Sequence, residues 1–284
     1  MLGKLKTTLE MIKFEHTIFA LPFAFMGAFF AAQGLPDLGK IGWILLAMVS
    51  ARSAAMAFNR LVDYEFDEKN PRTISRALPK RTISRRYVSG FVICSSFLFL
   101  FAAAMLNTLA FKLSPLALAI VLLYSYAKRY TWLTHFFLGL ALACAPVGAW
   151  IAIQGSLAAV PLLLGLVVVL WVAGFDIIYA CQDVDFDRQE ELHSIPARYG
   201  IPAALWVSAL LHLSMVALIG YIIWLSRLDG LSVAGLAVVA ALLAYEHSVV
   251  RPTDMSRVNT AFFTINGWIS ILLFVTTGID ILWH

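Results

Sequence analysis

The chain has 284 residues, 61% of them apolar and only 13% charged, against roughly 45–50% and about 25% in an ordinary soluble domain. Apolar stretches of membrane-spanning length recur from Thr17 to Trp283, which excludes a soluble fold and a secreted domain behind a signal peptide. Cys94, Cys144 and Cys181 lie inside such stretches with no close pairing and no companion histidines, so neither a disulfide framework nor a zinc site is expected and they read as small buried hydrophobes.

With ~20 residues needed to span a bilayer, the sequence predicts helices over about 16–33, 41–62, 87–106, 113–127, 134–153, 160–182, 203–225, 231–249 and 259–282. The expectation is an all-α, polytopic bundle of nine transmembrane helices, with residues 1–284 forming one membrane-embedded domain and no room for an extramembrane one. With the N-terminus in the cytoplasm, sixteen of the twenty-one Lys and Arg residues fall in cytoplasmic segments, and only Lys40, Lys112 and Arg227 fall opposite. By the positive-inside rule this asymmetry sets the orientation. Arg52 and Arg60 remain within the second predicted helix.

That helix ends Asn59-Arg60-Leu61-Val62-Asp63-Tyr64-Glu65-Phe66-Asp67. Asn59, Asp63 and Asp67 are four apart, which stacks them on one face if the helix continues. The sixth predicted helix ends with Asp176, Tyr179, Asp183 and Asp187, the last three again four apart, and the two sets are offset by 120 residues (183 minus 63). Both helices run in the same direction, so both sets belong at the cytoplasmic side. Carboxylates four apart repel one another, and an apolar boundary adds desolvation, so a cation is the natural neutraliser. Mg²⁺ takes hard oxygen ligands, keeps waters, and is usually held by one or two carboxylates plus substrate phosphates. Two facing carboxylate sets beside a loop with Arg72, Arg76, Lys80 and Arg81 suggest metals clamping a diphosphate.

At these residues the chain resembles the UbiA superfamily of intramembrane aromatic prenyltransferases, whose members carry N-D-x-x-D-x-x-x-D after the second helix and D-x-x-Y-x-x-x-D-x-x-x-D after the sixth. Asn59, Asp63 and Asp67 match the first motif; Asp176, Tyr179, Asp183 and Asp187 match the second. The resemblance continues through Arg52-Ser53-Ala54-Ala55, Arg72-Thr73, Arg76-Ala77-Leu78-Pro79, Tyr124, Lys128-Arg129 and His193-Ser194-Ile195-Pro196-Ala197. Two places depart from it. Arg60 stands where the family often has an acid, and Lys13-Phe14-Glu15-His16 stands where quinone-pathway members commonly carry an Arg.

The resemblance implies a magnesium-dependent enzyme that moves a polyprenyl group from polyprenyl diphosphate to the ring of an aromatic acid, 4-hydroxybenzoate for ubiquinone or a dihydroxynaphthoate for menaquinone. It assigns metal binding to Asn59, Asp63, Asp67, Asp183 and Asp187, catalysis to the four of these that are aspartates and to Asp176, and substrate binding to Arg52, Asn59, Arg72, Lys128 and Tyr179. Membrane lipid is the expected surrounding and no nucleic-acid partner is expected. Arg52, two turns from Asn59, either binds an acceptor carboxylate or pairs with Asp176. Among the histidines only His16 is placed near the cavity; His135, His193, His212, His247 and His284 read as packing residues. A secondary transporter would also carry intramembrane charges, but near the bilayer midplane at broken helices; here the acids sit at helix ends.

Overall fold

The computed structural model describes residues 2–12, 20–252, 254–255, 257–260 and 264–283. The described residues form fourteen α-helices: α1 Leu2–Met11, α2 Ala20–Ala32, α3 Leu38–Val62, α4 Tyr64–Lys69, α5 Arg85–Leu106, α6 Thr108–Tyr130, α7 Thr134–Gln154, α8 Ala159–Ala180, α9 Val184–Gln189, α10 Ile195–Tyr199, α11 Ile201–Leu225, α12 Gly230–Val249, α13 Val258–Thr260 and α14 Asn266–Trp283. Among these residues eight helices are long and apolar enough to cross a membrane, and α2 is a further apolar helix of 13 residues. The expected first segment runs into residues 13–19, so Lys13 and His16 lie outside the described residues.

Capping side chains mark several of the helix starts. Asp37 accepts from the backbone N–H of Lys40 at the start of α3, Ser84 from Tyr87 at α5, and Asn107 from Ala110 at α6, each satisfying an amide that the first turn leaves unpaired. The Asn107 amide also donates to the carbonyls of Ile151 (2.7 Å) and Ala152 (3.1 Å) in α7. With Asn107 as its cap, α6 begins five residues before the expected 113 and carries Pro115 inside its second turn. The amphipathic α1 was not expected at all.

The helices pack as neighbouring pairs: α3 on α5, α5 on α6, α6 on α7, α7 on α8, α8 on α11, α11 on α12, α12 on α14, and α2 against both α7 and α14. Alpha-8 is the central one, with Leu164, Val167, Val168, Trp171, Val172 and Ile178 buried in a core that also takes Phe23, Met26 and Phe30 of α2. Gly27 lets α2 approach α7 backbone to backbone: a Cβ there would stand 2.3 Å from the Pro146 carbonyl oxygen. Burial is thus concentrated around α8, whereas α6 and α5 keep open flanks. Between α3, α5, α6 and α7 the bundle is not filled, and that space becomes the wall of the site.

Candidate functional site

Two cavities meet inside the bundle. The larger, about 860 Å³, lies at the ends of α3 and α8 and is lined by Arg52, Asn59, Arg60, Asp63, Asp67, Arg72, Arg76, Lys80, Tyr124, Lys128, Arg129, His135, Asp176, Tyr179 and Asp183 among others. The smaller, about 430 Å³, is walled by small and apolar residues such as Ala47, Ala51, Ala55, Ala103, Ala117 and Gly148. Arg52, Met56, Tyr124, Leu138 and Leu142 line both, so a polar chamber gives directly onto an apolar one.

The acidic helix ends are built by how α3 and α8 terminate. Alpha-3 stops at Val62, yet the Asp63 amide still donates to the Asn59 carbonyl (2.9 Å) and the Asp67 amide to the Asp63 carbonyl (2.8 Å), which keeps the three side chains stacked through the break into α4. Alpha-8 instead passes through a 3₁₀ turn, Cys181–Asp183, before α9. Asp183 stays on the cavity wall, but Asp187, expected as a metal ligand, does not line the cavity. Its side chain has no exposure and binds the Lys128 ammonium at 2.7 Å and the Ser194 hydroxyl at 3.0 Å.

Each remaining carboxylate has its own partner. Arg72 grips Asp183 with two parallel bonds, Nε to Oδ1 at 3.0 Å and Nη2 to Oδ2 at 2.6 Å, and donates from Nη1 to the Tyr179 hydroxyl at 2.7 Å. Asp67 binds Arg76 at 2.6 Å and Arg60 at 3.4 Å. Asp63 accepts from the Asn59 amide at 2.8 Å. Burial, opposed by Arg60 and reinforced by Asp67, holds the Asp63 carboxyl above the usual carboxylate range, as expected for a charge withdrawn from water. Asp176 is hydrogen-bonded to His135 at 2.7 Å.

Seven basic side chains (Arg52, Arg60, Arg72, Arg76, Lys80, Lys128, Arg129) and five acidic ones (Glu10, Asp63, Asp67, Asp176, Asp183) therefore line the chamber among the described residues. The excess of two positive charges suits an anion, and the bidentate Arg72 fork suits carboxylate and phosphate oxygens alike. Among the described residues no three His, Cys, Asp or Glu side chains converge closely enough to hold a metal; the acids are drawn toward their arginines. Their oxygens are nonetheless the hard donors that Mg²⁺ selects, and the raised Asp63 carboxyl beside Asp67 is the kind of crowding that a cation relieves.

The sequence-derived residues Arg52, Asn59, Asp63, Asp67, Arg72, Lys128, Asp176, Tyr179 and Asp183 thus share one cavity wall. The sequence reading missed His135, whose importance depends on a contact with α8 across 41 positions. It also missed Asn70, which reaches toward Asp183 at 3.5 Å. Arg129 serves as a brace as well as a wall residue, donating to the Val62 carbonyl and resting its guanidinium over the Phe66 ring.

Comparison with known proteins places this geometry in context. The sequence profile of the UbiA prenyltransferase family matches residues 20–268. The chain is 29% identical over 260 residues to a 4-hydroxybenzoate octaprenyltransferase of Aliivibrio fischeri, covering 90% of this chain and 88% of that one. It is 29% identical over 257 residues to the enzyme of the same name from Alkalilimnicola ehrlichii, covering 90% and 86%. The apo structure of a UbiA homolog from Aeropyrum pernix K1 superposes with a TM-score of 0.85 at 35% identity over 94% of this chain and 98% of that one. A UbiA homolog from Archaeoglobus fulgidus, solved bound to GPP and Mg²⁺, shares the fold with a TM-score of 0.72 at 22% identity, over 98% and 100% of the two chains.

Proposed function

The chain belongs to the UbiA prenyltransferase family and is an enzyme of that class, and we propose that it transfers a polyprenyl group from polyprenyl diphosphate to the ring of an aromatic acid, with 4-hydroxybenzoate as the first acceptor to test, in respiratory quinone biosynthesis. The observation that carries the reading is the join between the two cavities: a basic and acidic chamber for a diphosphate opens through Arg52, Met56, Tyr124, Leu138 and Leu142 onto an apolar chamber for a hydrocarbon chain. The whole chain, residues 1–284, acts as one membrane-embedded domain.

Asn59, Asp63, Asp67 and Asp183 are the residues to hold Mg²⁺, and Asp187 supports Lys128 from behind. Bound there, the metal supplies positive charge that stabilises a departing diphosphate. The protein's own contribution begins with an exchange of partners. Arg72 and Arg76, which now bind Asp183 and Asp67, turn to phosphate oxygens and free those carboxylates for the cation, while Lys128 keeps Asp187 and offers the phosphate its remaining N–H donors. As the allylic carbon–oxygen bond opens, its electron pair leaves with the diphosphate, and the guanidinium groups, by then on the phosphate oxygens, stabilise that charge. The apolar walls keep water from the allylic cation, and the Tyr124 and Tyr179 rings offer faces on which positive charge is favourable. The ring carbon of the acceptor then attacks, with Arg52 binding the acceptor carboxylate.

The acidic ends face the cytoplasm in a bacterial-type inner membrane, a reading supported by the sixteen-to-three division of basic residues. Cysteines placed at Ile74 and His193 in a cysteine-free background should react with an impermeant reagent from the cytoplasmic side, and one at Leu157 from the other.

The decisive experiment reconstitutes the protein in lipid and supplies a long-chain polyprenyl diphosphate with 4-hydroxybenzoate and, separately, a dihydroxynaphthoate. Magnesium-dependent formation of a C-prenylated product with 4-hydroxybenzoate supports the reading. Product with the dihydroxynaphthoate alone moves the acceptor to the menaquinone series, and no prenylated product with either acceptor overturns the function.

A further inference from the structure

Asp176 and Arg52 stand one level deeper than the acidic ends. Each lies seven residues before its motif partner, Asp183 and Asn59, which is about 10 Å along a helix. At that level the polar chamber gives onto the apolar one, with Arg52 and Tyr124 lining both. Of the five carboxylates on the wall, Asp63, Asp67 and Asp183 sit at the helix ends and Glu10 is on α1. Asp176 is the one at the level where the two chambers join.

What holds Asp176 there is a histidine with nothing left to vary. His135 is 1% exposed, at the start of α7. Its Nε2 accepts the backbone N–H of Ile195 at 3.3 Å, so that nitrogen carries no proton in the neutral ring and Nδ1 carries it. The Nδ1–H donates to Asp176 Oδ2 at 2.7 Å. The backbone before α10 therefore sets the tautomer, and the tautomer sets the carboxylate. A hydrogen bond given to one oxygen of a carboxylate fixes its plane. The Asp176 side chain keeps 23% exposure against 1% for His135, so its accessible surface is the part that belongs to the cavity wall.

We propose that Asp176 is the base that takes the ring proton after the carbon–carbon bond has formed, and that His135 is its positioning residue. The inference rests on the prenyl-transfer reading above. In the step, diphosphate has already left with the pair of the broken C–O bond, and a ring π pair has closed on the allylic cation to form the new C–C bond. The C–H bond at the attacked carbon then breaks, its pair restores the aromatic ring, and the proton passes to a carboxylate oxygen of Asp176. His135 keeps its Nδ1–H on Asp176 through the step, because its second nitrogen accepts from Ile195.

The test compares wild type, Asp176→Asn, His135→Leu and His135→Asn using acceptor deuterated at the ring position that is substituted. Asn places an N–H where Nδ1–H stands; Leu removes it. Asp176→Asn should lower kcat by about 10²–10⁴-fold, the usual range for a general base, with donor KM unchanged and with a larger ring-deuterium isotope effect than wild type, since proton loss becomes slow. His135→Leu should show a smaller loss with the same rise in isotope effect, and His135→Asn should recover most of both. Loss of kcat in Asp176→Asn without a rise in the isotope effect, or retention of wild-type kcat, overturns the base assignment. His135→Asn performing no better than His135→Leu overturns the positioning role, and if the Leu variant does not fold, a loss of kcat in His135→Asn as large as that in Asp176→Asn overturns it instead. Wild type forming no prenylated product at all is a failure of the functional reading, distinguishable from either.

Discussion

The two acidic helix ends share a spacing and differ in how they are neutralised. Glu65-Phe66-Asp67 and Asp185-Phe186-Asp187 occupy the same places in two six-residue helices, α4 and α9, offset by the same 120 positions. The first end is served by cations from its own stretch of chain, Arg60 and Arg76 on Asp67. The second borrows them: Arg72 comes from the loop after α4 to Asp183, Lys128 from α6 to Asp187, and Lys69 reaches Glu190. The repeat therefore extends to the acids and not to the bases. One basic loop closes over both ends, which makes the chamber a single electrostatic unit.

That unity is most directly broken by removing single acids. Asp63→Ala, Asp67→Ala and Asp183→Ala should each lower turnover by about 10²–10³-fold, the scale of losing one preorganised electrostatic partner in a transition state, in protein that still inserts in the membrane. Steady-state rates at saturating donor and limiting magnesium check this. Near wild-type turnover in two of the three would mean that the ends do not act together.

The next largest effect separates the ends. Asp187 is fully buried against Lys128, so Asp187→Ala leaves a cation uncompensated and should destabilise the fold by about 3 kcal/mol, the low end for breaking a buried pair because Lys128 is one-third exposed. Asp63, with no ion pair among the described residues, should cost the fold least. Thermal unfolding of the four alanine variants in one detergent orders them, and pairing Asp187→Leu with Lys128→Met should restore part of the loss, since an apolar pair needs no partner. Equal destabilisation at Asp63 and Asp187 would erase the distinction between wall and buttress.

The part of this site that was legible in the sequence is the part set by local geometry. Asn59, Asp63, Asp67, Tyr179 and Asp183 could be placed because four-residue spacing stacks side chains on one face. The same rule carries no information about partners: Asp187 meets Lys128 of α6 and Ser194 before α10, and its side chain stands behind the wall rather than on it. His135 and Asn70 were invisible, since each matters through a contact made across the bundle. In the fold, hydropathy located the long helices but not their caps, so α6 began earlier than expected at Asn107. Alpha-1 went unread because a short amphipathic helix has no spanning-length signal.

A smaller effect probes the borrowed cation. Arg72→Lys keeps a charge but loses the fork that holds both Asp183 oxygens, and donor KM should rise by about tenfold, in line with one charge-assisted hydrogen bond. Acceptor KM should not change. Measuring both with Arg76→Lys alongside sharpens the comparison: if Arg72 bridges the halves, its variant should also weaken the tie between loop and α8, seen as faster proteolysis in the loop, while Arg76→Lys should leave that tie in place.

The smallest expected effect lies deepest, at Arg52. It lines both cavities, about 10 Å along α3 from Asn59 by the 1.5 Å rise per residue. A cation at the polar rim of an apolar chamber suits a substrate with an acid group and a hydrophobic ring. Arg52→Lys preserves the charge and loses the planar match to a carboxylate, so acceptor KM should rise by a few-fold up to about tenfold, with donor KM unmoved under the proposed placement of the diphosphate a level away at the helix ends. Varying each substrate in turn separates the two constants. An unchanged acceptor KM would remove Arg52 from the acceptor's binding site, and a rise in donor KM instead would mean that the two levels of the chamber are not the separate binding places their spacing makes them.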